Sequence, residues 1–534
     1  MQKFDTVIIG SGLSGLTCGA VLSKNGRKVL VLEQHNLIGG CSTCFPRKGM
    51  MVDAGLHELD FGPKNIDMKY RIFDYIGLWD KIQLVPLPTA WTIQTQNERL
   101  VIPHTNTKEA LKKMFPHEAD GIDKYFKKIA FQAKIARKYP FDMSFLEFFT
   151  APFRVMMFLA YNFLSNRTVG QVLDECIKDS KLKRILNINI VYYHYDPYKF
   201  IWSYHAIPQN AYYTQGMYVN GGSQALADAI SGIITANGGE VRAKSDVTDI
   251  LLDGNKAVGV KYFDKKTKEE VVVYADNVVA NCDPAIVYNQ LLPKDRSYEK
   301  DLRVTRNLKT DTSLISIYMI FDKNLSELYP DMDYSTFIVN DEQLNKDFKE
   351  LDYSKLAYKD MDFVFVNYSK IDSGLSDRDD RYLGVITTYG KYEDWELEKE
   401  EYKAKKEEVK AILEGRLENA FPGIMQHCIH SELATPKTIE RYIRTRKGTP
   451  YGYDQDGETF LSRERYESKS VKNLYFASAF AFPGGGFTGA LMTGYRAGRK
   501  MLEPWALTKR YTLAIAFGTA LALGIYNVIK FLIG

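Results

Sequence analysis

Apolar positions near the start of the chain fall into two short runs joined by a helical spacing. Val7-Ile8-Ile9 is a continuous apolar run, the pattern of a strand buried on both faces. Leu13, Leu16, Ala20 and Leu22 recur at near-helical intervals, and Gly26 can end that helix. Val29-Leu30-Val31-Leu32 predicts a second buried strand, which Glu33 closes. Farther on, Val241 and Val247-x-x-Ile250-Leu251 read as strands. Asp253-Gly254-Asn255 reads as a hairpin turn, with Val258-x-Val260 pairing back. Residues 275–281 predict a further strand. Between 396 and 418 charge dominates, and Val409, Ile412, Leu413 and Leu417 leave a narrow apolar stripe. That stripe predicts a solvated surface helix.

Two stretches are apolar on a longer scale. Residues 513–529 carry no charge, Lys509-Arg510 precede them, and Lys530 interrupts only the last turn. A membrane span needs about 20 such residues, and a flanking lysine can reach the interface. The expectation is a C-terminal anchor over 511–534, with the basic flank and the catalytic domain on the cytoplasmic side. Residues 144–164 are also rich in large apolar groups, but Glu147 and Arg154 break them as a span. They read either as a helix dipping into the membrane or as a core helix. No signal peptide is expected, because Met1–Asp5 leads directly into the first strand.

The chain has 534 residues, enough for several domains and a large core. Six cysteines exclude a disulfide scaffold and fit a reducing compartment. A net charge of +4 gives no footprint for nucleic acid. The 35 tyrosines and 29 phenylalanines suit a flat apolar ligand as well as an ordinary core.

The chemistry lies in the junction of the first strand and helix. Gly10-x-Gly12-x-x-Gly15 follows the strand and opens the helix. In that context Gly10 makes a tight turn, Gly12 lets backbone approach a pyrophosphate, and Gly15 lets helix and strand pack closely. The helix N-terminus offers unpaired N–H groups to phosphates. Glu33, at the end of the second strand, can accept from ribose hydroxyls, which argues against a 2′-phosphate. These features leave FAD and NAD open.

At residues 31–59, VLEQHNLIGGCSTCFPRKGMMVDAGLHEL, the sequence resembles the phytoene desaturase-like flavoproteins. It is most similar to their retinol saturase and carotenoid isomerase branch. Residues 216–230, 238–263, 271–284 and 473–502 carry the same resemblance. The resemblance implies an α/β fold: a Rossmann-like FAD-binding domain of the GDI/amine-oxidase-like superfamily, an inserted α+β substrate domain, and the C-terminal membrane helix. It places the FAD-binding domain at 1–65, 215–310 and 471–505, and the substrate domain at 66–214 and 311–470. The FAD contacts it implies begin with Gly10, Gly12, Leu13, Ser14 and Gly15. Glu33, Gln34, Gly39, Gly40, Cys41 and Ser42 follow. The Val247 backbone would sit at the adenine, with Asn281, Gly485, Gly486, Phe487 and Thr488 completing the set. The late glycine loop would precede a helix starting near Gly489.

Side-chain candidates for catalysis are few. His57 could orient a substrate or donate a proton, or serve packing alone. Cys41 and Cys44 form a CxxC that could be redox active, with packing use as the alternative. Metal binding is not expected. Tyr192-Tyr193-His194-Tyr195, His205 and Tyr212-Tyr213 could line a polyene tunnel or pack in a core. The resemblance implies a membrane-anchored FAD oxidoreductase. It would desaturate C–C bonds, or saturate or isomerise C=C bonds, of a hydrophobic polyene or isoprenoid lipid, the cofactor carrying the chemistry. The electron partner could be oxygen, a quinone or a nicotinamide. An amine-oxidase-like flavoenzyme and a non-catalytic prenyl-lipid escort are the alternatives.

Overall fold

The computed structural model describes residues 3–137, 167–457, 459, 463 and 466–502. The two long apolar stretches, 144–164 and the anchor at 511–534, lie outside the described residues. Among the described residues, no helix is long and apolar enough to cross a membrane.

The opening βαβ pattern folds as its periodicity predicts. Strand β1 (Lys3–Ile9) leads through the glycine turn into helix α1 (Leu13–Lys24), and the chain returns as β2 (Val29–Leu32), parallel to β1. Glu240–Arg242 extends the sheet beyond β2. On the other side of β1 lies β4 (Glu269–Ala280), also parallel to it. A hairpin of β3 (Ser245–Asp253) and Lys256–Asp264 packs antiparallel against the first half of β4. Leu474–Phe476 joins the second half of β4, parallel to it, from near the end of the described chain. One seven-stranded sheet is thereby built from three distant segments.

Period-two alternation assigns the faces of this sheet. Ile8, Val29 and Val31 pack toward α1, whereas Val7, Ile9, Leu30 and Leu32 pack on the opposite face with Val287, Tyr288 and Leu291. Helix α3 (Gly486–Leu502) lies close along α1 because Gly494 carries no side chain. A Cβ there would overlap the Ser14 carbonyl oxygen.

A second seven-stranded sheet runs in the order 428–434, 313–321, 382–390, 363–367, 335–338, 91–94, 99–102. Its pairs are antiparallel except that of 335–338 with 91–94. Alternation along Ser313–Phe321 again divides the faces. Ile315, Ile317, Met319 and Phe321 face a core that includes Val409, Leu413 and Leu417. Those three residues form the stripe of the charged helix, which spans Lys399–Ala420. The opposite side of the same strand presents Leu314, Ser316 and Tyr318 to a large cavity.

Candidate active site

One cavity of about 1180 Å³ runs between the two sheets. It exceeds the ~300–1,000 Å³ typical of a drug-sized ligand pocket, so it has room for more than one compact molecule. At one end it is walled by Glu33, Gln34, Asp246 and Val247; at the other by Trp91, Tyr192, Tyr193, Tyr212 and Phe337. The glycine loop and the start of α3 lie between these ends along its wall.

The glycine loop is clamped from beneath. Asn281, just past β4, donates through Nδ2 to the Gly10 carbonyl (3.2 Å) and to the Gly12 carbonyl (3.1 Å). A Cβ at Gly12 would lie 2.8 Å from that Nδ2, and one at Gly15 would lie 2.6 Å from the Gly10 oxygen. Gly10 has φ +93°, a conformation that favours glycine. Helix α1 has no side-chain cap and no acidic residue in its first turn. The first-turn N–H groups of Leu13, Ser14 and Gly15 are therefore available to an anion.

Glu33 is buried at the end of β2. Its carboxylate accepts from the Ser11 amide (2.9 Å), the Ser11 hydroxyl (2.7 Å) and the His35 amide (2.8 Å). Those bonds fix the carboxylate at the cavity wall; both Ser11 bonds fall on Oε2, and Oε1, which accepts only from His35, keeps an open lone pair. Gly39 (φ +117°) and Gly40 (φ +64°) carry the chain back over the loop. The Gly39 amide donates to the Ser11 carbonyl at 3.1 Å. A Cβ at Gly40 would stand 3.1 Å from the Gly12 Cα. Cys41 lines the cavity, and burial pushes its thiol up to about 11. Cys44 is buried against Gly221 and Ser223, its thiol pushed up by burial and by the Asp53 charge. Neither thiol has the lowered pKa of a reactive thiolate, so the CxxC reads as packing. The Ser42 hydroxyl donates to the Ser223 carbonyl at 2.7 Å, tying this segment to helix Gly222–Ala236.

The late glycine loop meets the cavity beyond this point. Helix α3 begins at Gly486, three residues earlier than Gly489. Gly485 packs so closely on the Tyr451 backbone that a side chain there would overlap it. Gly485, Gly486, Phe487 and Thr488 all line the cavity. The Thr488 hydroxyl donates to Asp60 (3.0 Å) and accepts from Lys69 Nζ (3.3 Å).

His57 stands in the aromatic section. Its Nδ1 shares a hydrogen bond with the Tyr192 hydroxyl (3.1 Å), and its Nε2 makes a long contact with Thr387 Oγ1 (3.5 Å). Burial holds its pKa down to about 4, so the imidazole is neutral at pH 7. Of the aromatic and imidazole cluster, Tyr192, Tyr193 and Tyr212 line the cavity. His194 and Tyr195 stack on each other at 4.5 Å in the core, and His205 packs against Trp202. Tyr213 packs on Phe126 and Trp91.

Several wall residues escape a sequence reading. Ser316, Tyr318, Phe337 and Thr387 come from the second sheet, and Tyr451 comes from a loop. A faint signal exists in the polar residues at alternate positions of apolar strands, such as Ser316 and Tyr318 in Ser313–Phe321. Lys69 was also missed. It is 1% exposed, yet it lies 2.8 Å from Asp67 and 3.6 Å from Asp60.

The uncapped α1, the bare glycine loop, the anchored Glu33 carboxylate and the glycine start of α3 can together hold a dinucleotide. The cavity continues from there into the apolar chamber. The fold is shared with solved flavoenzymes. Putrescine oxidase bound to putrescine superposes with a TM-score of 0.61 at 15% identity, over 94% of this chain and 99% of that one. Cyclohexylamine oxidase from Brevibacterium oxydans gives 0.58 at 16%, over 96% and 99%. Among curated proteins, all-trans-retinol 13,14-reductase of Danio rerio is 29% identical, over 95% of this chain and 88% of its own length. The chloroplastic prolycopene isomerase of Arabidopsis thaliana is 26% identical, over 95% and 84%. The profile of the flavin containing amine oxidoreductases matches residues 13–502. The chain belongs to that family and is an FAD-dependent oxidoreductase.

Proposed function

We propose that this oxidoreductase acts on carbon–carbon single or double bonds of a hydrophobic polyene or isoprenoid-like lipid, by desaturation, saturation or cis–trans isomerisation. The observation that carries this reading is the continuity of the cleft with an aromatic-walled section, in one cavity of about 1180 Å³. The similarity to a retinol reductase and a prolycopene isomerase over nearly the whole chain supports it.

FAD supplies the electron-pair chemistry when bound. In this reading Leu13, Ser14 and Gly15 receive its pyrophosphate, Glu33 and Gln34 its ribose, and the Val247 backbone its adenine. The segments 39–42 and 485–488 flank the ring. Asn281 shapes the loop from below. Neutral His57, Trp91, Phe337 and the tyrosines position the apolar chain and exclude water. We assign the FAD-binding domain to 1–65, 215–310 and 471–505, the substrate domain to 66–214 and 311–470, and a membrane anchor to 511–534.

The test is the visible spectrum of the detergent-purified protein, before and after anaerobic reduction. Flavin bands that bleach on reduction and return on addition of a polyene support the reading. Bleaching of the oxidised enzyme by amines, with no response to polyenes, replaces it with an amine oxidase. Absence of flavin even after incubation with FAD points instead to a lipid escort. Truncation after residue 505 tests the anchor: membrane sedimentation should be lost while the flavin spectrum is kept.

A further inference from the structure

The chamber wall holds a carboxyl oxygen that no hydrogen bond satisfies. Glu58 follows His57 and lines the cavity, and its Oε1 is buried with no hydrogen-bond partner among the described residues. Gly216 makes the room this group occupies, since a Cβ there would overlap Glu58 Oε1. The ionisable groups around it come from several elements: Asp60 on its own segment, Lys69 and Asp67 at the helix Met68–Ile76, His104, and the hydroxyls of Tyr192, Tyr193, Tyr212 and Tyr334.

Charge balance decides the state of this cluster. Three carboxyls and one ammonium share a buried site, and burying unpaired charge is costly. Lys69 is committed to Asp67 at 2.8 Å and Asp60 at 3.6 Å. Asp60 also accepts from Thr488. Among the described residues Glu58 is left with no cation. Burial first, and the Asp60 charge second, push its pKa well above the ordinary 4.5. The other candidates are poorer acids at neutral pH. Burial keeps His57 and His104 neutral, and it pushes the four tyrosines far above their usual range.

We propose that Glu58 is the acid that delivers a proton to one carbon of the substrate's double bond, and the base that removes it in the reverse direction. This inference rests on the polyene reading. Adding two hydrogens to a double bond takes one as a proton and one with an electron pair. Reduced FAD, when bound, would supply the second, and the chain must furnish the first. In the Glu58 step the carboxyl O–H bond breaks, and the π pair forms the new C–H bond. The adjacent carbon, left electron-deficient, would take a hydrogen with its electron pair from reduced FAD, which would end oxidised. Glu58 ends as a carboxylate, and solvent returns its proton.

The test uses the intact flavoprotein and Glu58→Gln, which keeps the size of the side chain and removes its acid. Infrared difference spectra of the two proteins, without substrate at pH 7, should show one protonated-carboxyl band that only the wild type has. Anaerobically reduced Glu58→Gln should be re-oxidised by a polyene at least ~100-fold more slowly than wild type, the scale of a lost general acid. It should keep its flavin spectrum and its reduction by dithionite. Glu58→Asp should recover part of the rate. Gly216→Ala, which displaces the carboxyl without altering its chemistry, should reproduce the loss. A missing infrared band, or a Glu58→Gln enzyme with the wild-type rate, overturns the inference. If the wild type reacts with amines and not with polyenes, the parent reading fails and this role fails with it. The infrared band would persist in that case and mark that failure as the different one.

Discussion

The glycine fingerprint shows how little tolerance a backbone cradle has. With the Gly10 oxygen 2.6 Å from a Cβ at position 15, Gly15→Ala must open the loop. The variant should fold yet purify without flavin absorbance. Asn281→Ala removes two hydrogen bonds to the loop carbonyls. At roughly 1 kcal/mol each, FAD should bind about 10- to 30-fold more weakly, read by flavin fluorescence titration. Titrating groups give predictions of opposite sign. His194 and His205 are held down to about 3 from 6.5, chiefly by burial. Between those values the unfolded chain binds more protons, so stability falls as pH drops below 6.5, by about 1.4 kcal/mol per unit for each group. Thermal melts from pH 7 to pH 5 should show the slope, and His205→Gln should flatten it. Glu58 acts the other way. Its raised value means the folded state holds the extra proton, so its contribution is full below 4.5 and is lost as pH rises. Glu58→Gln should gain stability over wild type at pH 8 more than at pH 5. At this scale the fingerprint and Glu33 were legible because their neighbours in space are neighbours in sequence. Asn281 was expected as a ligand contact; it does line the cavity, but its clamp on the loop was not foreseen. Its hydrogen bonds reach Gly10 and Gly12 across about half the length of the chain, and no local pattern reports that.

Elements with one buried stripe were the easiest to anticipate. The charged helix Lys399–Ala420 buries Val409, Leu413 and Leu417 against the second sheet, and its other faces are largely open. Leu413→Ala should cost about 2–5 kcal/mol, measurable by chemical denaturation, whereas a change at exposed Glu401 should cost almost nothing. The strands of the second sheet were not delineated in advance. They are apolar on one face and line a cavity with mixed side chains on the other, so the alternation is blurred. Helix α2 (Pro436–Ile443) was also unforeseen. Its N-cap Thr435 forms a capping box with Thr438, and it lies over the dinucleotide end of the cavity. There the Tyr442 carbonyl accepts from Gln34 (3.4 Å), and Arg444 makes paired bonds to Asp246 at 2.8 and 2.9 Å. These contacts are solvent-exposed and individually weak. Arg444→Ala should therefore quicken flavin release only a few-fold, and high salt should narrow the difference.

At the scale of the whole molecule, both sheets wall one site. A ligand bound there stabilises the fold by mass action, by about 2.7 kcal/mol at a hundredfold excess over its Kd. FAD added to the apoprotein should raise the melting temperature in proportion to the logarithm of its concentration, and the Gly15→Ala variant should not respond. The discontinuous assembly of the first sheet has a further effect on biosynthesis. Translation delivers β1, α1 and β2 first, but β1 has no partner on its β4 side until residues 269–280 emerge, and α1 lacks α3 until residue 502. An incomplete chain on the ribosome thus exposes an apolar strand edge and half a cradle. Flavin loading should therefore wait until α3 has emerged, and the nascent N-terminal segment should be a client for chaperones until then.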